Sequence, residues 1–276
     1  MSIAGPGEAG QPLQSKSCDR EVDANRRGWA TQPIEAIGCP AGAERVDLCV
    51  RWLGRMKFEE ALRLQEEVVA KKRENHSSAD ELFLLEHEPV YTIGRTPDRS
   101  SLLGAAHLPH PIFAINRGGQ ATYHGPGQLM GYPVVDLRRC GQDLHRYLRW
   151  LERLLIELLA EYDISATQRH GLTGVWIGKL EIIEPRELFP NRKIASIGVG
   201  VRHWITMHGF ALNVCGDLAP FNHIVPCGIS NVTMTSMEKE LGKEISVVDV
   251  AVAFERLALE RIRDLMTRTE TYSAVT

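Results

Sequence analysis

The chain has 276 residues, of which 43% are hydrophobic, and it carries a formal charge of -3 at pH 7. This length can bury a substantial core in one large domain or two small ones, and the charge leaves no surplus of cations to neutralise nucleic-acid phosphates. The apolar stretches are shorter than a membrane-spanning helix, and the N-terminus has no apolar signal core. The six cysteines show no close pairs, which is typical of a reducing compartment. The sequence therefore predicts a soluble cytoplasmic protein that binds neither nucleic acid nor membrane.

The first part of the chain differs in composition from the rest. Residues 1–44 are rich in Gly, Pro, Ser, Gln and charged residues and show no periodicity, which predicts a disordered extension. Residues 45–276 are therefore expected to form the functional domain. At its start, apolar residues recur at helical spacing over residues 57–72, and two short β-prone runs follow at residues 82–85 and 90–93. We expect a helix followed by a pair of strands.

The middle of the chain predicts two further strands and a long helix. The strands are expected at residues 112–115 and 129–137, and Pro133 favours an edge strand or a bulge for the second. The helix that follows is amphipathic. Its expected buried stripe consists of Leu144, Leu148, Leu151, Leu155, Leu158 and Leu159.

The last third continues with β-like runs at residues 175–177, 194–201 and 204–214. A final helix is expected to begin at Ser246, whose hydroxyl caps the free amides while Asp249 supplies the return half of a capping box. Strands and helices mix without regular βαβ alternation. The sequence therefore predicts an α+β domain with a mixed, largely antiparallel sheet flanked by helices.

A glycine-dense loop from Arg117 to Gln128 is the first candidate for chemistry. It combines its glycines with the polar side chains of Arg117, Thr122, Tyr123 and His124. Glycines let backbone amides approach a ligand closely, and successive amides can cradle a carbonyl or a phosphate. A simple hairpin turn does not require these side chains, so we interpret the segment as a binding loop. It is neither of the usual nucleotide-binding loops: no G-x-G-x-x-G follows a strand here, and the segment from Gly174 to Lys179 has the wrong spacing for a P-loop and is followed by Leu180.

The second candidate is the thiol of Cys227, which lies between Pro226 and Gly228. Proline fixes the backbone before the thiol and glycine leaves space after it. Most free cysteines are small buried hydrophobes. That interpretation is applied to Cys18, Cys39, Cys49, Cys140 and Cys215.

Lys193 opens an otherwise apolar β-like run and is the candidate partner of Cys227. A lysine at a strand end is ordinarily a solvated charge. If its ammonium contacts the thiol, the electrostatic energy of the ion pair is large enough to lower the thiol pKa. Lowering this pKa by about two units takes roughly 2.7 kcal/mol. A partly buried ion pair at about 4 Å supplies about 4 kcal/mol. Such a pair would make the reactive thiolate common at neutral pH.

Two other arrangements of these residues stay open. His208 or His223 could pair with Cys227, as in thiol hydrolases. A zinc site that includes Cys215 and Cys227 is weaker, because no C-x₂₋₄-C pair is present.

Six segments in combination resemble the lipoyl(octanoyl) transferase family. They are Glu88 to Gly94, Arg117 to Gln128 with the following Tyr132-Pro133, Gly174-Val175-Trp176, Lys193 to Gly198, His208 to Val214, and Pro226-Cys227-Gly228. The resemblance extends from about Val46 to Leu265. Two features depart from it: the stretch from Lys179 to Arg192 is longer than the family usually has, and the N-terminal extension has no counterpart.

The resemblance implies the fold of biotin and lipoate protein ligases and an acyltransferase that needs no cofactor and no metal. It implies that Cys227 carries the acyl group as a thioester and that Lys193 lowers the pKa of its thiol. It also implies acyl-group contacts from Arg117, Gly118, Gly119, Gln120, Ala121, Thr122, Tyr123, His124, Ser196, Ile197, Gly198, Gly209, Phe210 and Ala211.

The partners implied by the resemblance are an acyl donor and a protein acceptor. The donor is octanoyl-acyl carrier protein. The acceptors are lysines on the lipoyl domains of 2-oxoacid dehydrogenase E2 subunits and on the glycine cleavage H protein. Two other functions remain open from the sequence: an ATP-dependent lipoate or biotin ligase on the same fold, and a non-catalytic module that binds acyl carrier protein.

Overall fold

The computed structural model describes residues 48–96, 100–102, 108–178, 192–228 and 232–267, with the backbone alone at residue 227. The expected N-terminal extension, residues 1–44, lies outside the described residues. The same holds for the long stretch from Lys179 to Arg192, of which the structure describes Arg192 alone.

The α-helices form where the sequence predicts apolar stripes, and a short additional helix precedes the last one. Their bounds are α1 Phe58–Glu74, α2 Leu144–Glu161, α3 Met237–Leu241 and α4 Val247–Met266. Single 3-10 turns lie at Leu137–Cys140, Ala219–His223 and Pro226–Gly228. The predicted start of α4 is confirmed, because the Ser246 hydroxyl accepts a hydrogen bond from the Asp249 backbone amide at 3.3 Å.

The strands form one large and one small sheet. Their bounds are β1 Leu48–Met56, β2 Asp80–His87, β3 Val90–Ile93, β4 Ile112–Ala114, β5 Ala121–His124, β6 Gln128–Val134, β7 Ala166–Arg169, β8 Leu172–Ile177, β9 Arg192–Arg202, β10 Ile205–Asn213 and β11 Thr233–Met234. The large sheet has the order β1-β2-β6-β10-β9-β8-β7, with β11 paired to β9, and the small sheet has the order β4-β3-β5. Only β1–β2, β9–β11 and β3–β4 are parallel among the described pairs. The predicted α+β class with a mixed, largely antiparallel sheet is confirmed.

Two expectations about how the strands are arranged are wrong. The runs that became β2 and β3 do not pair with each other, because β2 joins the large sheet and β3 the small one. Strand β6, which contains Pro133, is not an edge strand, since it lies between β2 and β10. The paired register of β6 with β10 ends at Gly131, so the amide that Pro133 lacks is not required for that pairing. Beyond this point the Thr206 hydroxyl of β10 donates to the Pro133 carbonyl at 2.7 Å and accepts from the Val135 amide at 2.9 Å.

The large sheet buries a hydrophobic core on each face. Helices α2 and α4 cover one face, where the rings of Phe210 and Phe254 pack at a tilt of 53° with centroids 4.6 Å apart. Helix α1 covers the other face, packing Ala61 and Val68 against the sheet. The small sheet stands over this second face and has a core of its own. The candidate site is lined by residues of both sheets and also by Leu144 and Leu148 of α2.

A buried ion pair joins the end of α1 to the start of β2. The Lys72 ammonium lies 2.8 Å from the Asp80 carboxylate, and both side chains are almost fully buried. Asp80 also binds Arg139 and accepts from the Asp136 amide at 3.1 Å. A buried carboxylate needs this degree of pairing, since an unpaired charge in the core is costly.

The cysteines interpreted as hydrophobic residues fit that interpretation in part. Cys140 and Cys215 are buried, and burial raises the pKa of Cys140 to about 11, whereas Cys49 is only partly buried. Cys18 and Cys39 lie outside the described residues. Across the part of the chain that is described, no helix is both long enough and apolar enough to cross a membrane.

Candidate active site

The glycine loop is held between the two sheets by its backbone. The Gly118 amide donates to the Val199 carbonyl of β9 at 3.0 Å, and the Arg95 amide, just after β3, donates to the Arg117 carbonyl at 3.0 Å. Gly94 has no room for a side chain, because an added Cβ would collide with the Gly119 carbonyl oxygen. The backbone of the loop therefore contacts the backbone of both sheets directly, which the absence of a glycine side chain permits.

Strand β5 continues the loop and divides its residues between two sides. Thr122 and His124 line a cavity between the sheets. Ala121 and Tyr123 point the opposite way, and the Tyr123 ring packs edge-on against Phe221 at 5.6 Å. This alternation is the period of two that any strand imposes. Ala121 and Tyr123, two of the expected acyl contacts, therefore do not line the cavity.

A directed hydrogen-bond chain fixes the polar wall of the cavity. Arg117 donates to the Thr92 hydroxyl at 2.9 Å and to the Thr92 carbonyl at 3.0 Å. The Thr92 hydroxyl then donates to Nε2 of His124 at 3.2 Å, and Nδ1 of His124 donates to Gln128 Oε1 at 2.8 Å. Burial, with a smaller contribution from neighbouring His87, lowers the pKa of His124 to about 3. His124 is thus a neutral ring with a fixed tautomer.

A second histidine, His87, lies behind the cavity lining and is also neutral. His87 donates from Nδ1 to the Met56 carbonyl at 3.1 Å and accepts at Nε2 from the Tyr132 hydroxyl at 2.7 Å. Burial lowers its pKa to about 4.

His208 has an unusual backbone for a strand residue, with φ of +58°. Its amide donates to Gln65 Oε1 of α1 at 2.7 Å. Burial, together with the charge of Arg117, lowers the pKa of His208 to about 4. An imidazole of this pKa is a weak general base at neutral pH, which disfavours a pair between Cys227 and His208. His223, the other histidine considered, is exposed.

The cavity has a volume of about 390 Å³, within the range of small-molecule sites. Most of the expected acyl contacts line it: Arg117, Gly118, Gly119, Thr122, His124, Ser196, Ile197, Gly198, Gly209, Phe210 and Ala211. Among the described residues that line it, Arg95 and Arg117 carry full charges and none is Asp or Glu. This wall favours a ligand with an apolar body and an electron-rich oxygen.

Gln120 lies beside the cavity lining and next to the segment of Cys227. An added Cβ on Gly228 would collide with the Gln120 side chain, so the two segments are in direct contact. Gly228 has φ of +68°, and its amide donates to the Val225 carbonyl at 2.9 Å, which closes the turn around residue 227. The Cys227 side chain lies outside what the structure describes. The distance from its sulfur to Lys193 therefore stays a prediction.

Lys193 is a buried cation at the start of β9, with a relative exposure of 1%. Its Nζ donates to the Thr173 carbonyl at 3.1 Å and lies 5.0 Å from the centroid of the Trp176 ring. Gly174, between these two residues, has φ of +124°, and a Cβ there would lie 2.6 Å from Lys193 Cε. Thr173 itself lines the cavity. The ammonium is therefore buried and bound to a residue of the cavity lining, unlike the solvated lysine of an ordinary strand end.

Sequence reasoning missed several contributors to the wall. They are Phe58, Arg95, Ile115, Met130, Tyr132, Leu144, Leu148, Gly171, Leu172, Thr173 and Val199, of which Leu144 and Leu148 were expected only as core residues of the helix. Gln65, which holds the His208 backbone, was missed as well. Its signal was present, because it occupies a position of the buried stripe of α1 between Ala61 and Val68. In the described ranges no three His, Cys, Asp or Glu side chains are close enough to hold a metal ion.

Solved structures define the class of fold. The chain is similar to a bi-partite lipoate protein ligase from Thermoplasma acidophilum, with a TM-score of 0.60 and 15% identity over 79% of this chain and 85% of that chain. It is also similar to a lipoate-protein ligase A bound with ATP, with a TM-score of 0.57 and 16% identity over 79% of this chain and 85% of that chain. The domain therefore has the lipoate protein ligase fold.

Sequence comparison identifies the family. Residues 57–257 match the lipoyl protein ligase A/B catalytic domain. An octanoyltransferase of Citrifermentans bemidjiense is 48% identical over 209 residues, which cover 74% of this chain and 94% of the relative. An octanoyltransferase of Geobacter sp. strain M21 is 49% identical over 207 residues, covering 74% and 93%. The chain belongs to the lipoyl protein ligase A/B family and, within it, to the octanoyltransferases, which are acyltransferases. The family expected from the sequence is confirmed.

Proposed function

We propose that this chain transfers an octanoyl group from acyl carrier protein to a lysine of a lipoyl domain through a thioester on Cys227. The expected cytoplasmic location is part of this proposal, as are the named acceptors, the E2 subunits and the H protein. The observation that carries the proposal is the fixed ammonium of Lys193. It is bound to the carbonyl of Thr173, a residue that lines a largely apolar cavity.

In the first step the Cys227 thiolate attacks the carbonyl carbon of the donor thioester. A new C–S bond forms, the bond to the carrier's phosphopantetheine sulfur breaks, and that sulfur takes up a proton. One thioester replaces another, so the step is close to even in free energy and needs no ATP. Lys193 stabilises the attacking thiolate by its positive charge.

In the second step the amine of the acceptor lysine attacks the acyl-enzyme. A C–N bond forms, Cys227 leaves as thiolate, and the amine nitrogen loses a proton. An amide is more stable than a thioester, which makes this step downhill. The neutral histidines of the cavity wall are too weakly basic to remove that proton efficiently at neutral pH. We assign proton handling to Lys193: its ammonium gives a proton to the departing carrier sulfur in the first step, and the resulting neutral amine takes up the proton from the acceptor nitrogen in the second.

The largely apolar lining of the cavity supports a medium-length acyl chain as the transferred group. Burying about seven carbons at roughly 0.8 kcal/mol each offers about 5 kcal/mol of binding free energy. Phe210, Ile197 and Ala211 supply apolar wall, and Arg117 with the loop amides supplies donors for the carbonyl end. Preorganised donors of this kind stabilise the oxyanion of an acyl-transfer transition state.

The test of the proposal is the pH dependence of Cys227 alkylation by iodoacetamide, followed by peptide-resolved mass spectrometry. We expect Lys193→Met to raise the midpoint by about two pH units, because the thiolate loses its nearby cation. Peptides that contain Cys140 and Cys215 serve as internal controls. A midpoint that Lys193→Met leaves unchanged contradicts the role of the lysine.

A ligase mechanism on the same fold makes a different prediction. It forms an acyl-adenylate and does not need a nucleophilic thiol. Product formation from free octanoate and ATP in a Cys227→Ala variant would establish that mechanism and refute the transferase. Binding of acyl carrier protein without acylation of Cys227 would indicate a non-catalytic module.

A further inference from the structure

Glu152 is a buried carboxylate on α2 that contacts the same peptide group as Lys193. Its Oε1 accepts a hydrogen bond from the Gly174 amide at 3.0 Å. The carbonyl of that peptide group belongs to Thr173, and it accepts from Lys193 Nζ at 3.1 Å. A carboxylate and an ammonium therefore bind the two ends of one peptide unit.

The arrangement strengthens both hydrogen bonds. A peptide group carries a dipole with its positive end at N–H and its negative end at C=O. A negative charge at the N–H end polarises the unit and makes the carbonyl oxygen a better acceptor for a cation. Because Glu152 and Lys193 are both about 1% exposed or less, water screens this interaction little.

The backbone at this peptide is adapted to the arrangement. Gly174 has φ of +124°, a region that other residues rarely adopt, and a Cβ there would press on Lys193 Cε and on the Ala195 carbonyl. The second oxygen of Glu152 lies 2.5 Å from the Arg149 guanidinium, which is 36% exposed. One oxygen of the carboxylate thus contacts Arg149 at the surface, and the other contacts the Thr173–Gly174 peptide group to which Lys193 is bound.

We propose that Glu152 is a positioning residue for Lys193, acting through the Thr173–Gly174 peptide to hold the ammonium in place and to stabilise its charge. The proposal rests on the proposed function of Lys193 as the cation that stabilises the Cys227 thiolate. The competing explanation is purely structural: the hydrogen bond from the Gly174 amide to Glu152 fastens α2 to β8, the Arg149–Glu152 ion pair within α2 orients the carboxylate, and neither affects the charge of Lys193.

Two variants separate these explanations, Glu152→Gln and Arg149→Gln. Both remove the ion pair, but only Glu152→Gln removes the charge from the peptide of Lys193, while its amide oxygen can still accept from Gly174. We expect Glu152→Gln to raise the alkylation midpoint of Cys227 by about one pH unit, which means roughly tenfold slower alkylation below the midpoint. We expect Arg149→Gln to keep the parental midpoint.

A double variant tests whether the effect passes through the lysine. In a Lys193→Met background, Glu152→Gln should no longer raise the midpoint, since the coupling between interacting residues disappears when one is absent. Glu152→Asp keeps the charge on a shorter side chain and should give a midpoint between those of the parent and Glu152→Gln. This milder variant keeps the proposal testable if Glu152→Gln does not fold.

The outcomes of the two proposals are distinguishable. If Lys193→Met leaves the midpoint unchanged, the proposed function of the lysine fails, whatever Glu152 does. If Lys193→Met shifts the midpoint but Glu152→Gln leaves it unchanged or lowers it, the role of Glu152 alone is refuted. Equal shifts in Glu152→Gln and Arg149→Gln would also refute it, because the ion pair would then explain both.

Discussion

Lowering the pH from 7 to 5 should destabilise this protein through its buried histidines. His87, His124 and His208 have pKa values of about 4, about 3 and about 4 in the folded state, mainly because burial disfavours the charged ring. In the unfolded chain a histidine has a pKa of about 6.5. Between these values the unfolded chain binds more protons. Stability is therefore retained above about pH 6.5 and is lost as the pH falls towards 4.

The magnitude follows from the two pKa values. Protonation of one such histidine favours the unfolded state by about 2 kcal/mol at pH 5 and by about 0.2 kcal/mol at pH 7. The change for each group is about 1.8 kcal/mol, and for the three together about 5 kcal/mol. A typical domain is stable by about 5–15 kcal/mol, so this loss is a large part of the total.

The assay is urea unfolding at pH 5, 6, 7 and 8 for the parent and for His87→Gln. Glutamine can donate to the Met56 carbonyl and accept from the Tyr132 hydroxyl, as His87 does, but it does not titrate. The free energy lost between pH 7 and 5 should be smaller in the variant by about 1.8 kcal/mol. Between pH 7 and 8 the two curves should run parallel, which controls for effects unrelated to protonation. Parallel curves down to pH 5 would refute the reasoning.

Three further predictions concern packing and charge. Gly94→Ala should destabilise the protein by at least about 2 kcal/mol, because its methyl group would collide with the Gly119 carbonyl; an unchanged thermal midpoint would count against that contact. Asp80→Asn should cost about 3–5 kcal/mol in urea unfolding, since it leaves the buried ammonium of Lys72 without its charged partner, and a loss below about 1 kcal/mol would show that the pair is dispensable. Phe254→Ala should cost about 3–5 kcal/mol by opening a void in the core, and near-parental stability would mean that the core refills the space.

The helices were predictable because their signals are local. Apolar spacing and the Ser246 cap located α1, α2 and α4, since both features act within a few residues. The sheet assignments were not local. Nothing in the two runs that became β2 and β3 indicates that they join different sheets. Pro133 is tolerated in a central strand because the pairing of β6 with β10, a strand far away in sequence, ends at Gly131.

In the candidate site, too, the features that depend on local sequence were predictable and the long-range contacts were not. The glycine loop and Lys193 were identified from residue type and order; residues of the loop line the cavity, and Lys193 hydrogen-bonds Thr173, which also lines it. Successive side chains of a strand point to opposite faces. If this period of two had been applied to residues 121–124, Ala121 and Tyr123 would have been predicted to point away from the acyl group. Glu152 lies four residues after Leu148 and three before Leu155, so helical spacing already placed it on the buried face. Its contact with the peptide of Lys193 required the tertiary structure.

The central claim is that Cys227 carries the acyl group, and intact-protein mass spectrometry after mixing with octanoyl-acyl carrier protein tests it most directly. The account predicts one octanoyl adduct in the parent, slower formation in Lys193→Met, and discharge of the adduct when a lipoyl domain is added. It predicts no adduct in Cys227→Ser. An adduct of the same mass that persists in Cys227→Ser, and still discharges to the lipoyl domain, would contradict the account.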